Sequence, residues 1–312
     1  MEKRKVILDC DPGHDDAIAI MLAAKSPLLD LLGVTVVAGN QTLDKTVMNA
    51  LNVCQHLNLD VPVYRGCGQP MIRDKQVVAP NIHGESGLDG PVFAPLTRQA
   101  EPQHAVLYLV ETLLQSDGDI TVVTTGPMTN LAMAIRLNPD ILPKIKEIVL
   151  MGGTYQLGNV TPAAEFNVFA DADAAHVVFT SGRKITMVGL DVSRKALCLP
   201  SVMARMGQIQ TPAGKLFVEI MTYFNQTQKQ VFGWDGAPLH DPITIAFLID
   251  PTVLTTKAMF TQIDIRSDQS YGRTNCDFFQ KSGQQPNSFV AVDIDVAKFW
   301  DIIEAGLRAY DE

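Results

Sequence analysis

The chain has 312 residues, of which 46% are hydrophobic and 19% charged, a composition that excludes a disordered or fibrous polypeptide and allows a sizeable core. Its 25 lysines and arginines against 34 aspartates and glutamates give a formal charge of −9. That field opposes long polyanions, so nucleic acid is not an expected partner, whereas a small uncharged nucleoside remains open.

Cys10, Cys54, Cys67, Cys198 and Cys276 are widely spaced and lack any C-x-x-C pair, which argues against a disulfide framework or a zinc cluster and fits a reducing cytoplasm. The apolar stretch Val6-Ile7-Leu8 is too short for a signal peptide, and the run from Ala17 to Ala24 falls far below the about 20 residues of a membrane helix. A cytoplasmic location is the expectation.

Short strand-like runs alternate with helical stretches, the pattern of a sheet with crossover helices. Val6 to Cys10 reads as the first strand, and Asp15 to Ser26 as a helix with acidic residues in its first turn. Leu31 to Ala38 reads as a strand, Thr42 to Leu57 as a helix and Val61 to Tyr64 as a short strand. After a Gly/Pro-rich passage from Arg65 to Pro95, a helix is expected over His104–Gln115, a strand over Ile120–Thr124 and a helix over Thr129–Leu137. Glu147–Met151 and Ile185–Leu190 read as strands around a helix over Ala172–Thr180. Helices follow over Ala213–Gln230 and Asp241–Leu248. Strands over Ala258–Ile265, Tyr271–Phe279 and Phe289–Ile294 form an expected antiparallel addition, closed by a helix over Val296–Tyr310. No linker or internal repeat divides the sequence, so one elaborated α/β domain over residues 1–312 is expected.

In open α/β sheets the ligand site lies beyond the carboxyl ends of the strands. The first strand runs into Asp9-Cys10-Asp11-Pro12-Gly13-His14-Asp15-Asp16, with four carboxylates in eight residues. Two unit charges about 4 Å apart at an effective dielectric of 20 interact by roughly 4 kcal/mol. Protonation or a bound cation relieves that crowding. Oxygen-only ligands suit Ca²⁺ or Mg²⁺, and the adaptable shell of Ca²⁺ makes it the favoured ion. A plainer reading has Asp11 or Asp15 capping the helix and Asp16 complementing its dipole, which accounts for one or two acids rather than four.

Other expected strand ends carry matching groups: Asn40 after Ala38-Gly39, Thr125 before Gly126-Pro127, and Glu165 with Asn167 around Phe166. His240-Asp241-Pro242 opens a helix, where Asp241 serves equally as a plain N-terminal cap. His83 falls in an expected flexible loop, Asn81 to Gly87.

Together these segments resemble the nucleoside hydrolase family, often called inosine-uridine preferring nucleoside hydrolases, over essentially the whole chain. The resemblance rests on DCDPGHDD, VAGNQT around Asn40, HGESG after Ile82, TGPMTN from Thr125, VLMGG ending at Gly153, AEFN ending at Asn167 and HDP after Leu239. It implies a mainly parallel, Rossmann-like sheet flanked by helices, and cleavage of the N-glycosidic bond of ribonucleosides. It further implies one Ca²⁺ per subunit, held by Asp11, Asp16, Asp241 and the carbonyl of Thr125. Asp11 takes the role of general base toward water. Asp15, Asn40, Glu165 and Asn167 surround the ribose, Met151 lines the sugar, and His83 and His240 face the nucleobase, with His240 as the candidate acid for the leaving group. A homo-oligomer, dimeric or tetrameric, is also implied.

Cleavage of this bond builds positive charge on the ribose ring, which an anionic pocket favours. In pyrimidine-preferring relatives a tyrosine lies eight residues before the matching histidine. Here that position is Phe232, which retains an aromatic face but no hydroxyl, with Trp234 nearby. Gln228, one helical turn before Phe232, is placed to offer an amide to the base, although a single polar helix residue more commonly faces solvent. A pyrimidine-preferring or mixed hydrolase is expected. Two alternatives stand beside it. Asp9-x-Asp11 after a strand resembles the nucleophile motif of Mg²⁺-dependent haloacid dehalogenase-type phosphatases, though Gly13 stands where that motif has Thr or Val. A non-enzymatic nucleoside- or sugar-binding protein would use the same pocket without turnover.

Overall fold

A computed structural model describes residues 3–311. The strands are β1 (Arg4–Cys10), β2 (Leu29–Val36), β3 (Val63–Arg65), β4 (Ile120–Thr124), β5 (Ile145–Met151), β6 (Ile185–Val188), β7 (Leu197–Cys198), β8 (Ala237–Pro238), β9 (Leu254–Met259), β10 (Thr261–Ile263), β11 (Thr274–Cys276) and β12 (Ser288–Ile294). The helices are α1 (His14–Lys25), α2 (Leu43–His56), α3 (Pro80–His83), α4 (Ala105–Gln115), α5 (Thr129–Leu137), α6 (Phe166–Ala170), α7 (Ala172–Phe179), α8 (Leu190–Ser193), α9 (Pro200–Met206), α10 (Pro212–Phe232), α11 (Pro242–Ile249) and α12 (Val296–Arg308).

Eight strands form one sheet in the order β3-β2-β1-β4-β5-β6-β12-β9, and every neighbouring pair is parallel except β12 with β9. A parallel sheet covered on both faces needs strands that are apolar on both sides. β1 from Val6 onward and the whole of β4 are buried residue by residue, their apolar members covering both faces and Asp9, Thr121 and Thr124 being the polar exceptions. Two apolar layers result, one holding α1, α2, α10, α11 and α12, the other α4, α5 and α7. α1 is buried from His14 through Ala23, because it packs against α2, α10, α11 and α12 as well as β2. A helix enclosed on every side is apolar all round.

β1 has β2 on one side and β4 on the other, so the strand order reverses between β1 and β4. Such a switch point opens a crevice beyond the carboxyl ends of the strands.

The expected C-terminal addition takes a different form. The stretch read as a single strand over Ala258–Ile265 breaks at Phe260, which divides it between β9 in the main sheet and β10 in a separate hairpin with β11. The last strand, β12, inserts parallel beside β6 and leaves only β9 antiparallel at the edge. Sequence proximity favours hairpin pairing, whereas β6 offered an open parallel edge that no local pattern reveals. The short elements α3, α6, α8, α9, β7 and β8 lie outside the expected set, being too short to carry a period.

Candidate active site

The crevice at the switch point holds a cavity of about 290 Å³. Its floor comes from residues just beyond strand ends. Asp11 follows β1, Asn40 follows β2, Thr125 follows β4, and Asn167 enters from α6 after β5. Asp15 and Asp16 stand in the first turn of α1, and Asp241 precedes α11.

One ligand oxygen from each of Asp15, Asp16 and Asp241 lies within 4.8 Å of the others, and all three residues are buried. Asp11 adjoins them. The Asn40 side-chain amide donates to the Asp11 carbonyl and to Asp16 Oδ2, each at 3.1 Å, and the Asn40 backbone N–H donates to Asp11 Oδ2 at 2.6 Å. Asp16 also accepts from the Gly13 N–H at 3.0 Å and from Thr125 Oγ1 at 2.8 Å. Thus Asp16 does serve the start of the helix, as the plainer reading had it, while standing in the cluster. Asp241 occupies the N-cap position of α11 but makes no side-chain capping hydrogen bond. Its carboxyl meets Asp15 and Asp16 instead.

Asp11 Oδ1 is buried with no hydrogen-bond partner. Such an orphan costs about 1–3 kcal/mol, and more for a charged group. Burial, followed by the charge of Asp16, raises the Asp11 carboxyl well above the ordinary range. The same two causes push Asp15 up to about 7. Asp241 is raised by burial and by Asp15, Asp16 and Asp11. A divalent cation relieves both defects together, supplying charge to the cluster and a partner to the lone oxygen. The donor set is entirely oxygen, so these residues fit a hard cation.

Asp9, counted with these acids in the sequence, lies elsewhere. It accepts from Thr35 Oγ1 at 2.6 Å and from the Asn130 side-chain amide at 2.8 Å, within the sheet and off the cavity wall. This removes the would-be nucleophile of the phosphatase reading from the cavity.

The carbonyl of Thr125 accepts from the Asn167 side-chain amide at 2.6 Å, and that amide also reaches the Met151 carbonyl at 3.1 Å. Glu165 caps α6 through the N–H groups of Asn167 at 2.9 Å and Val168 at 3.2 Å, and accepts from Gly153 N–H at 2.9 Å. Burial nevertheless pushes its carboxyl up to about 7. Met151, Glu165, Asn167 and Asn40 all line the cavity.

The opposite wall is aromatic and imidazole-rich. His83 is not in a flexible loop; it ends α3 and is 6% exposed. His240 Nδ1 lies 2.7 Å from Ser193 Oγ. Burial, then the charge of Arg194, lowers its pKa to about 3. Gln228 is buried, lines the cavity, and leaves Oε1 without a partner. Its amide therefore faces inward rather than toward solvent. Phe232 is at the rim, 41% exposed and stacked on Trp234 at 4.7 Å. Gly233 at φ 74° ends α10 there, a left-handed backbone that glycine adopts without strain.

The 13 residues expected to bind metal, ribose or base or to act in catalysis thus belong to the cavity wall or the carboxylate cluster beneath it, whereas Asp9 does not. Others escaped notice. Arg194 lines the cavity and donates to the carbonyls of Leu157 at 2.9 Å and Gly158 at 2.7 Å, anchoring the loop that brings Asn159 and Val160 to the wall. No local motif marks that role. His14 was in view inside DCDPGHDD but overshadowed by its acids.

The family model described as "Inosine-uridine preferring nucleoside hydrolase" matches residues 6–301. A pyrimidine-specific ribonucleoside hydrolase, RihB, of Escherichia coli is 57% identical over 310 residues, covering 99% of each chain. Among solved structures, a purine-preferring ribonucleoside hydrolase from Gardnerella vaginalis superposes with a TM-score of 0.90 at 33% identity, covering 97% of this chain and 99% of its own. A plant nucleoside hydrolase superposes with a TM-score of 0.92 at 30% identity, covering 98% and 99%. This chain therefore belongs to the inosine-uridine preferring nucleoside hydrolase family, enzymes that hydrolyse the N-glycosidic bond of ribonucleosides.

Proposed function

We propose that the chain hydrolyses pyrimidine ribonucleosides to ribose and free base, with Asp11 as general base and a Ca²⁺ ion held by Asp11, Asp16, Asp241 and the Thr125 carbonyl. The observation that carries this reading is the buried group of Asp15, Asp16 and Asp241, joined through their mutual charge by Asp11, whose Oδ1 is buried without a partner. When bound, the cation supplies positive charge to that cluster and a Lewis-acidic centre for water and sugar hydroxyls.

The chain's own groups supply the rest. Asp11 takes the proton of the attacking water, a role worth about 10²- to 10⁴-fold. Asp15, Asn40, Glu165 and Asn167 bind and orient the ribose, and their carboxylates favour the positive charge that develops on its ring. Asp15 groups with Asp16 and Asp241, so a cation held there would be close to the carboxylate that binds the ribose. Met151 packs on the sugar. His83, Gln228 and Phe232 face the base, and His240, oriented by Ser193 Oγ and kept neutral by a pKa of about 3, offers the leaving group a hydrogen bond rather than a stored proton. The 57% identity to a pyrimidine-specific hydrolase supports the base preference, although Phe232 lacks the hydroxyl of the tyrosine expected there.

The reading extends to the whole molecule. Eight strands, from β1 at Arg4 to β12 at Ile294, share one sheet, which supports a single domain over residues 1–312. All five cysteines are free, which suits the cytoplasm. Among the described residues, no helix is long and apolar enough to cross a membrane. Family membership supports a homo-oligomer.

The test is ribose release from uridine, cytidine and inosine in phosphate-free buffer. Faster release from uridine or cytidine than from inosine is expected. An obligatory requirement for phosphate would replace hydrolysis by phosphorolysis, and binding without release would return the chain to the nucleoside-binding alternative.

A further inference from the structure

His14 stands at the start of α1, enclosed by the rings of His83, Tyr223 and Phe224 with centroids 5.3, 5.3 and 5.1 Å away. Its two nitrogens have different partners. Nε2 lies 2.8 Å from the backbone carbonyl of Asp89, and Nδ1 lies 3.1 Å from Nδ1 of His83. A carbonyl oxygen only accepts, so a neutral His14 must carry its proton on Nε2. Its Nδ1 is then a bare lone pair. The 3.1 Å contact consequently needs the proton on Nδ1 of His83, which leaves Nε2 of His83 unprotonated. The one opposing contact is the His14 backbone N–H, 3.4 Å from His83 Nδ1, longer than both others. His83 lines the cavity.

We propose that the Asp89 carbonyl, acting through His14, locks His83 in its Nδ1–H tautomer, so that His83 presents a hydrogen-bond acceptor to an N–H of the nucleobase. Uracil offers its ring N–H and cytosine its exocyclic amine. His83 therefore reads the base and does not protonate it. His14, which is screened from the cavity by its aromatic neighbours, is a positioning residue. The inference rests on the hydrolase reading above and adds the polarity of one of its base contacts.

The test is two-bond ¹H–¹⁵N correlation of histidine-labelled protein at pH 8, above the ordinary histidine pKa of about 6.5. The chain has 6 histidines, so single substitutions assign the signals. His83 is expected as the Nδ1–H tautomer and His14 as Nε2–H; finding His83 as Nε2–H overturns the proposal. His14→Phe keeps the ring stack but removes the acceptor. In that variant His83 is expected to switch to Nε2–H, with the backbone N–H as its remaining partner. KM for uridine is then expected to rise about 3- to 10-fold, the worth of one hydrogen bond. Turnover of an activated aryl riboside, which has no base N–H, should be unchanged. An unswitched His83 in His14→Phe also refutes the relay. The tautomer is read without substrate, so a protein that hydrolyses neither riboside would reject the hydrolase reading while leaving the relay to the spectra.

Discussion

Gly126→Ala tests whether Asp11 works from the position in which the fold holds it. A methyl carbon built on Gly126 lies 2.5 Å from Asp11 Oδ1, 2.8 Å from its Cγ and 3.0 Å from Val37 Cγ1. Reaching even 3.0 Å requires the carboxylate to retreat by 3.0 − 2.5 = 0.5 Å. The retreat is blocked behind, where the Asn40 N–H grips Oδ2 at 2.6 Å and a Cβ on Gly39 would lie 2.1 Å from the same oxygen. Asp11 is thus held between two glycine backbones, so the added methyl displaces the catalytic carboxylate rather than an inert neighbour. A misplacement near 1 Å costs about 10²-fold in rate, and overpacking of this size costs about 1–3 kcal/mol of stability. Initial rates of ribose release at saturating uridine, together with thermal unfolding, measure both effects. Gly68→Ala is the control, since its Cβ meets only Leu43 at 3.6 Å and beyond. A folded Gly126→Ala protein with the parent kcat would refute the placement of Asp11 at the centre of the chemistry.

Asp11→Ala should lower kcat by about 10²- to 10⁴-fold while the circular dichroism spectrum stays that of the parent; retained turnover would remove Asp11 as the base. Chelation should abolish ribose release, and Ca²⁺ should restore it better than Zn²⁺. Equal rates in rigorously chelated protein would exclude a metal role. Gln228→Leu, which removes the unpartnered buried amide oxygen, should raise KM for uridine about 3- to 10-fold with little change for the aryl riboside. Glu165 gives a pH signature. Its folded pKa of about 7 exceeds the ordinary 4.3 or so of an unfolded chain. The folded protein thus binds more protons between these values, and this contribution to stability, complete below about pH 4, is lost as pH rises through 7. The loss amounts to about 4 kcal/mol. Urea unfolding from pH 5 to 8.5 should therefore show Glu165→Gln gaining on the parent as pH rises, and parallel curves would contradict the shift.

The central elements were legible because local chemistry and final environment agree. Ile120–Thr124 and Thr129–Leu137 coincide with β4 and α5 to the residue, since a β-branched run followed by a glycine-proline turn and a helix-forming segment admits few other arrangements. The acids of the first loop were legible as a crowded anionic group for the same reason. Their division was not: Asp9 and Asp11 differ by two positions, yet one is bound within the sheet by Thr35 and Asn130 while the other faces the cluster. Along the helix Gln228 could face either the base or solvent, because the wall that encloses it comes from segments remote in sequence.

The sequence alone determined the parallel α/β core, the acidic first loop and, through the ordered motifs, the family, because each depends on residues adjacent along the chain. Tertiary structure decided which carboxylates gather in the buried acidic cluster, that β12 enters the sheet beside β6, and that His14 bridges Asp89 and His83. Those outcomes depend on distances between groups up to about a hundred positions apart, and such distances are set by packing rather than by any local propensity.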